Sequence, residues 1–199
     1  MGRWLRVFKL GIKLTVICLV AALALGYTNY ITTDPIAEQI QMANDLARKN
    51  TLPTAETFEK IDISKYDMTD YDSIVEIYKG IAAEKTVGYT AKVTTKGYGG
   101  SFEVTIGINL DGKVTGIIVG SNSETAGLGA NASKASFRDQ YAGLDTSKTI
   151  EVIKSGSPSG NQISALTGAT ITSKAVTKAV NTADSFFVAN LKNEGGEGQ

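Results

Sequence analysis

The sequence predicts an α+β protein, with one N-terminal transmembrane helix followed by a single domain in which helices surround an antiparallel sheet. Three observations support this. An uncharged stretch lies near the N-terminus, later segments alternate apolar and polar residues as strands do, and the last segment has apolar residues at helical spacing. With 199 residues, the chain is long enough for an anchor and one domain of ordinary size.

The N-terminal segment is predicted to be the membrane anchor. Residues 14–33 carry no charge, and about 20 such residues form a helix that crosses a bilayer. Four basic residues and no acidic one precede residue 34, so residues 1–33 carry +4 and the rest carries −4. The positive-inside rule then places the N-terminus in the cytoplasm and the domain outside. A cleaved signal peptide is the alternative, because residues 22–24 fit an A-x-A site.

A second helix is predicted to begin at Asp34-Pro35, because proline is favoured at the first helical position. Apolar residues recur at roughly helical spacing to about Asn50, which indicates a stalk helix. The acidic residues 56–72 are interpreted as a connector with short irregular structure.

The folded domain is predicted to follow this connector. Strands are expected at residues 73–78 and 86–95, and a hairpin at 102–110 and 114–119, where strict alternation surrounds Asp111-Gly112. A short helix is expected at 133–142, a strand at 149–153 and an amphipathic helix at 172–193. The tail, 194–199, is predicted to be disordered. The predicted boundaries are therefore 1–33, 34–70, 71–193 and 194–199.

Composition excludes several kinds of chemistry. The chain has no histidine and one cysteine, Cys18, so histidine-based catalysis and histidine- or thiolate-bound metal sites are excluded. The balanced charge and the lack of a basic stripe argue against nucleic acid as a partner. No catalytic residue and no metal ligand is predicted, and we expect any cofactor to be organic.

Three glycine-rich stretches are the candidates for function: residues 97–100 (GYGG), 124–129 (ETAGLG) and 166–170 (LTGAT). Each is also readable as a simple turn. The third leads into the last helix, where free N–H groups favour a phosphate, although N-capping by Thr170 or Thr172 is the common alternative. The small residues Gly168 and Ala169 leave the Thr170 hydroxyl sterically open, with no base nearby to activate it.

Taken together, GYGG, ETAGLG and TGAT resemble the FMN-binding domain of the Rnf and Na⁺-translocating quinone reductase complexes, over residues 71–193. Length and the single anchor look most like the G subunits of Rnf complexes. In that family a flavin transferase joins FMN through its phosphate to the last threonine of D-x-x-[ST]-G-A-[TS], here Thr170. Ser164 stands where that motif has Asp, and Ala126 where the family commonly has Pro.

The resemblance also implies the remaining site residues. The second wall of the FMN site would be formed by Glu124, Thr125, Gly127, Leu128 and Gly129, with Leu166, Thr167, Gly168 and Ala169 beside the attachment point. Thr125 is expected to hydrogen-bond the flavin and Leu128 to pack on its ring, while Glu124 is expected either to take part or to orient the loop.

The function implied is that of an electron carrier, bound to the cell membrane, in a complex that couples electron transfer between ferredoxin and NAD⁺ to Na⁺ or H⁺ translocation. The expected partners are the other membrane subunits, the flavin transferase and membrane lipid. The protein would be an oxidoreductase subunit with no catalysis of its own. Two alternatives stay open: a stand-alone extracytoplasmic FMN protein, and a noncatalytic anchored scaffold.

Overall fold

The computed structural model describes residues 2–192, apart from the side chains of Arg3 and Leu5, and the predicted tail at 194–199 lies outside that range. The chain divides into two units, Met1–Asp45 and Leu46–Gln199. Helices and an antiparallel sheet make up the second unit, which confirms the predicted mixed fold class.

One long helix, α1, runs over Gly2–Thr51. Among the described residues it is the one helix long and apolar enough to cross a membrane by length and composition. The prediction of a new helix at Asp34 is wrong, because Pro35 lies inside α1. A proline removes only its own N–H donor. The turn before it stays helical, and the Thr33 hydroxyl donates to the Asn29 carbonyl at 2.7 Å.

The main sheet has five antiparallel strands in sequence order. They are β1 (Thr57–Ile61), β2 (Ile74–Ala82), β3 (Lys85–Lys96), β4 (Ser101–Asn109) and β5 (Val114–Val119). The predicted hairpin is β4–β5, in which Ile106 lies opposite Ile117. The rest of the unit contains α2 (Ala135–Arg138), two short strands that pair in parallel, β6 (Glu151–Ile153) and β7 (Gln162–Ser164), and α3 (Thr170–Phe186), which continues as a π-helical turn, Phe187–Leu191.

Three predictions about these elements need correction. The sequence predicts an irregular connector over residues 56–72, but residues 57–61 form edge strand β1, whose adjacent Glu59 and Lys60 are typical of a solvated loop. The helix predicted at 133–142 is only the four residues of α2 between 3₁₀ turns. The last helix begins at Thr170, two residues before its predicted start.

One face of the sheet packs against α3 to form the core. The strict alternation of β4 places Phe102, Val104, Ile106 and Ile108 there, each almost fully buried. The apolar face of α3 covers them with Ala175, Val176, Ala179, Val180, Ala183 and Phe186. Because α3 lies on this face, its N-terminus is held beside the loops that follow β3 and β5.

The opposite face of the sheet is covered by the residues around the C-terminal end of α1. Leu52 is fully buried there, and a Cβ added at Gly80 or Gly88 would meet its methyl groups. The Thr51 carbonyl accepts a hydrogen bond from the Thr115 hydroxyl of β5. We call this arrangement the glycine socket: Leu52 seated over Gly80 and Gly88.

Candidate functional site

The three glycine-rich stretches predicted from the sequence meet at one cleft of about 490 Å³. The first contributes Tyr98, the other two contribute most of the remaining wall, and the first turn of α3 adds Ile171 and Thr172. The full set of lining residues is Tyr98, Glu124, Thr125, Leu128, Gly129, Gly168, Ala169, Thr170, Ile171 and Thr172. A volume of this size lies within the range of small-molecule and cofactor pockets.

The Glu124 carboxylate connects its own stretch to the first stretch and to the first turn of α3. This side chain is buried, and its Oε1 accepts a hydrogen bond from the Gly99 N–H at 2.9 Å. Its Oε2 accepts one from the Thr172 hydroxyl at 2.6 Å. Both carboxylate oxygens therefore have protein partners, so these contacts favour a role in orienting the loops over a direct role in holding a ligand.

Glycine is required beside this carboxylate. A Cβ at Gly129 would collide with Glu124 Oε2 and would lie 2.7 Å from the Thr172 hydroxyl oxygen. A Cβ at Gly97 would collide with the other carboxylate oxygen. Both glycines thus let the loops approach Glu124 closely.

Thr170 is the first residue of α3, and its half-buried side chain lines the cleft. Helix capping, the alternative role considered for Thr170 or Thr172, does not occur. The N-cap position is Ala169, without a side-chain cap, and the Thr172 hydroxyl bonds Glu124. Within residues 2–192, no hydrogen bond to the Thr170 hydroxyl is present.

The N-terminus of α3 favours negative charge in the cleft. The first N–H groups of a helix have no intrahelical acceptor and carry partial positive charge.

Gly168 shapes the approach to Thr170. Its φ is +73°, in the left-handed region that glycine adopts without strain, and a Cβ there would lie 3.1 Å from a Leu128 methyl carbon. Any larger residue would therefore combine backbone strain with crowding of the cleft.

Exposed apolar side chains surround the opening. Tyr98 is 72% exposed, Ile171 58% and Leu128 43%. Large apolar groups left in water around a cleft are typical of a surface that a ligand or partner covers. Of these, only Leu128 was predicted as a site residue. Tyr98 lies inside the GYGG stretch, so its position between glycines was the signal that could have found it.

The other predicted site residues divide into two groups. Glu124, Thr125, Leu128, Gly129, Gly168, Ala169 and Thr170 line the cleft. Gly127, Leu166 and Thr167 do not. The Gly127 carbonyl accepts a hydrogen bond from the Asn131 side-chain amide at 2.7 Å, and the Leu166 side chain packs against the core. Thr167 is exposed.

The cleft combines features that suit an anionic, partly aromatic ligand. The start of α3 favours a phosphate, the small residues Gly168 and Ala169 permit close approach, and the apolar rim offers a surface for a ring. Residues 2–192 contain no group of three or more histidine, cysteine, aspartate or glutamate side chains able to hold a metal ion.

Comparison with known proteins gives matches across most of the chain. Residues 97–184 match the family described as the FMN-binding domain. Over 187 residues, the chain is 43% identical to the G subunit of the Na(+)-translocating ferredoxin:NAD(+) oxidoreductase complex of Acetobacterium woodii, covering 89% of this chain and 90% of that protein. It is 37% identical over 178 residues to the G subunit of the proton-translocating ferredoxin:NAD(+) oxidoreductase complex of Clostridium ljungdahlii, covering 89% of each.

Two solved structures share the fold. The C subunit of the Na(+)-translocating NADH-quinone reductase of Parabacteroides distasonis superposes with a TM-score of 0.51 at 22% identity, over 65% of this chain and 70% of that one. Shewanella oneidensis NqrC gives a TM-score of 0.53 at 18% identity, over 75% and 73%. At these identities the likeness concerns the fold alone.

Proposed function

Because this chain belongs to the family of G subunits of Rnf-type ion-translocating oxidoreductase complexes, we propose that it is a membrane-anchored flavoprotein that carries electrons through an FMN attached covalently to Thr170. The observation that carries the proposal is the convergence of three glycine-rich stretches on one cleft, with the Thr170 hydroxyl at its wall and no described protein partner for it.

The residues of the cleft fit FMN. A phosphoester on Thr170 would place negative charge at the N-terminus of α3, where the helix dipole favours it. The apolar rim gives the isoalloxazine ring a surface to pack on, and Leu128 lies directly over Gly168 at the attachment side. The volume of the cleft, the preference of the α3 N-terminus for negative charge and the apolar rim therefore all agree with one bound FMN.

The roles of the other residues follow from their contacts. Thr125 lines the cleft with its side chain exposed, so its hydroxyl is available to hydrogen-bond the flavin. Leu128 packs on the ring, Gly129 and Gly168 allow close approach, and Glu124 holds the loops together. Gly127, Leu166, Thr167 and Ala169 support the loops and helix start around Thr170. FMN, when bound, supplies the redox chemistry, and these residues set its hydrogen bonding and exposure.

Attachment of FMN requires a second protein. The nearest carboxylate in the cleft, that of Glu124, accepts hydrogen bonds from Gly99 and Thr172 and does not contact the Thr170 hydroxyl within hydrogen-bond distance. No described residue therefore serves as a base for Thr170, so a flavin transferase would activate it. A covalent link outside the cytoplasm keeps the flavin at high effective concentration.

The anchor sets the location. Residues 14–33 span the cell membrane, the basic residues before them stay in the cytoplasm, and the domain lies outside. The proposed boundaries are 1–33 for the anchor, 34–70 for stalk and connector, 71–193 for the FMN-binding domain and 194–199 for the tail. Within 34–70, Leu52 and β1 pack on the domain's sheet and form part of its folded unit. No ionisable residue lies between Leu14 and Thr33 apart from Cys18 and two tyrosines, so the path of Na⁺ or H⁺ belongs to partner subunits.

The test is mass spectrometry of the intact protein from its native membrane, followed by peptide mapping. We expect one FMN moiety on the peptide that contains Thr170, absent in Thr170→Ala. Ser157→Ala is the matched control, because it removes an exposed hydroxyl that lies outside the D-x-x-[ST]-G-A-[TS] motif and outside the cleft, and it should leave the modification in place. An unmodified Thr170 in native material would contradict the proposal, and the scaffold interpretation would replace it.

Ser164 provides a second test of modification. It ends β7, six residues before Thr170, at the position where the family motif has Asp. If the transferase recognises the side chain at this position, Ser164→Asp will increase the rate of FMN incorporation. The rate is measured from the flavin fluorescence of the denatured protein. Gln140 bonds only the backbone of Ser164, so the substitution leaves that contact intact.

A further inference from the structure

A second cavity, remote from the cleft along α3, is lined in part by Asp184, whose buried carboxylate has no partner among the described residues. Asp184 lies in the last turn of α3 and is only 2% exposed. Neither of its carboxylate oxygens has a hydrogen-bond partner among the described residues. An isolated charged carboxylate is costly to bury, so the Asp184 side chain must either be paired with a positive charge or be protonated.

The cavity has a volume of about 280 Å³, and Asp184 lines it. Its lining includes five other oxygen-bearing side chains, together with Lys148, Val188 and Ala189: Thr146, Ser147, Thr149, Asn181 and Ser185. The Asn181 Oδ1 already accepts a hydrogen bond from the Ile150 N–H at 2.9 Å. The Thr146 hydroxyl donates its proton to the Gly112 carbonyl, and the Ser147 hydroxyl donates to Asp145. Each hydroxyl oxygen therefore keeps lone pairs available for a cation.

The backbone changes its hydrogen-bond register close to this place. Soon after Asp184 the helix changes to a π-helical turn, Phe187–Leu191, in which the Lys192 N–H donates to the Phe187 carbonyl five residues earlier. Such turns shift carbonyls out of α-helical register and are frequent at functional sites.

Charged groups also face Asp184 from the neighbouring loop and strand. Asp145 adds negative charge, but it is paired with Lys113 at 3.3 Å and bonded by Ser147. Lys148 lines the cavity without an ion pair to Asp184. Burial, and secondarily the charge of Asp145, raise the pKa of Asp184 to about 7, so the carboxyl is ionised only above neutrality in the absence of a counter-ion.

We propose that this cavity binds a monovalent alkali cation through the Asp184 carboxylate and the surrounding oxygen atoms. A single buried carboxylate among neutral oxygens matches one positive charge, whereas Ca²⁺ and Mg²⁺ sites collect several carboxylates or a phosphate. The proposal is independent of the FMN function, because the cavity shares no lining residue with the cleft.

The test is thermal unfolding of the full chain in detergent, with NaCl replaced by choline chloride at constant ionic strength. At pH 8 we expect NaCl to raise the unfolding midpoint by roughly 2–4 °C over choline chloride, since a ligand that binds only the folded state stabilises it. KCl, tested in the same series, shows which ion is preferred. At pH 5.5 the response should fall away, because the carboxyl is protonated there.

Variants separate this proposal from general salt effects. Asp184→Asn keeps the shape of the side chain and should lose the Na⁺ response, while Asp139→Asn, at an aspartate outside the cavity, should keep it. Excess ²³Na NMR relaxation, present at pH 8 and lost at pH 5.5, tests the wild-type protein without any variant. Equal midpoints in NaCl and choline chloride, or an unchanged response in Asp184→Asn, would overturn the proposal. A response seen only in Lys148→Gln would also overturn it, since the Lys148 ammonium would then be the counter-ion.

Discussion

The Thr172 hydroxyl donates a hydrogen bond of 2.6 Å to the Glu124 carboxylate, and this bond joins the loop after β5 to the first turn of α3. The other oxygen of the same carboxylate receives the Gly99 N–H from the loop after β3. Three segments that are distant in sequence thus depend on one side chain for their relative positions.

Removing that side chain is expected to loosen the whole cleft. Glu124→Ala leaves the buried Thr172 hydroxyl and the Gly99 N–H without their partner, at a cost of about 1–3 kcal/mol. Urea unfolding measures this cost, and flavin content measures the effect on the site. A double-mutant cycle with Thr172→Val should give a coupling energy clearly above zero, whereas strict additivity would show that the bond does not form in solution.

Thr125→Ala is expected to change the flavin and not the fold. The Thr125 side chain has no protein hydrogen bond in the described structure, so stability should stay within about 0.5 kcal/mol of wild type. If its hydroxyl bonds the flavin, the absorbance spectrum and midpoint potential will shift. Ser123→Ala, at a neighbour outside the cleft, should change neither, and a spectrum unaltered in Thr125→Ala would remove Thr125 from the site.

Gly168→Ala tests the tight approach to Thr170. Both backbone strain at φ +73° and contact with Leu128 oppose the new methyl group, so we expect a loss of about 1–2 kcal/mol and slower FMN incorporation. Gly143→Ala is the matched control, because its φ is +84° with open space around it. Strain alone would lower stability in both variants, whereas slower incorporation should occur only in Gly168→Ala.

The charged groups beside the glycine socket predict a pH-dependent stability. Burial opposes ionisation of Glu76, but the hydrogen bond and charge of Lys92, together with Arg48, lower the pKa of its carboxyl below its ordinary value. Lys92 lies 3.0 Å and Arg48 3.3 Å from this carboxylate. The stabilisation is complete above the ordinary glutamate pKa and is lost as pH falls through the lowered value.

Glu76→Gln should therefore destabilise the protein by roughly 2–4 kcal/mol at pH 7, because the nearly buried Lys92 and Arg48 each lose one charged partner. Lys92 keeps a second carboxylate, that of Glu103, at 3.7 Å. The difference from wild type should shrink as pH falls below about 4.5, as measured by urea unfolding across pH. Glu59→Gln removes an exposed pair with Lys79 and should cost under about 0.5 kcal/mol. A constant difference between pH 7 and pH 3 would contradict the assignment.

The sequence predicted the elements that have one face in the core and the other face toward solvent. Alternation in β4 was clear because Phe102, Val104 and Ile106 face the core. Strand β1 was missed because an edge strand with the sequence TFEKI has little burial to impose a pattern. The three-residue strand β7 is too short to show any period.

The sequence predicted the three glycine-rich stretches of the candidate site, but not how they come together. Their meeting at one cleft follows from the order of strands and the packing of α3, which no local pattern contains. Tyr98 and Ile171 were missed because exposure of an apolar side chain is a property of the folded surface. The bond between Thr172 and Glu124, 48 residues apart, could not be read from helix-capping preference either.

The glycine socket has a mechanical consequence. Leu52 is enclosed against Gly80 and Gly88, and Thr51 is bonded to β5, so the chain at these two residues cannot act as a hinge unless this contact is withdrawn. Residues 46–51, which lead into this contact, are the last residues of α1. The chain therefore reaches the sheet as a helix and not as a flexible coil, and the domain is closed on this side before β1 begins.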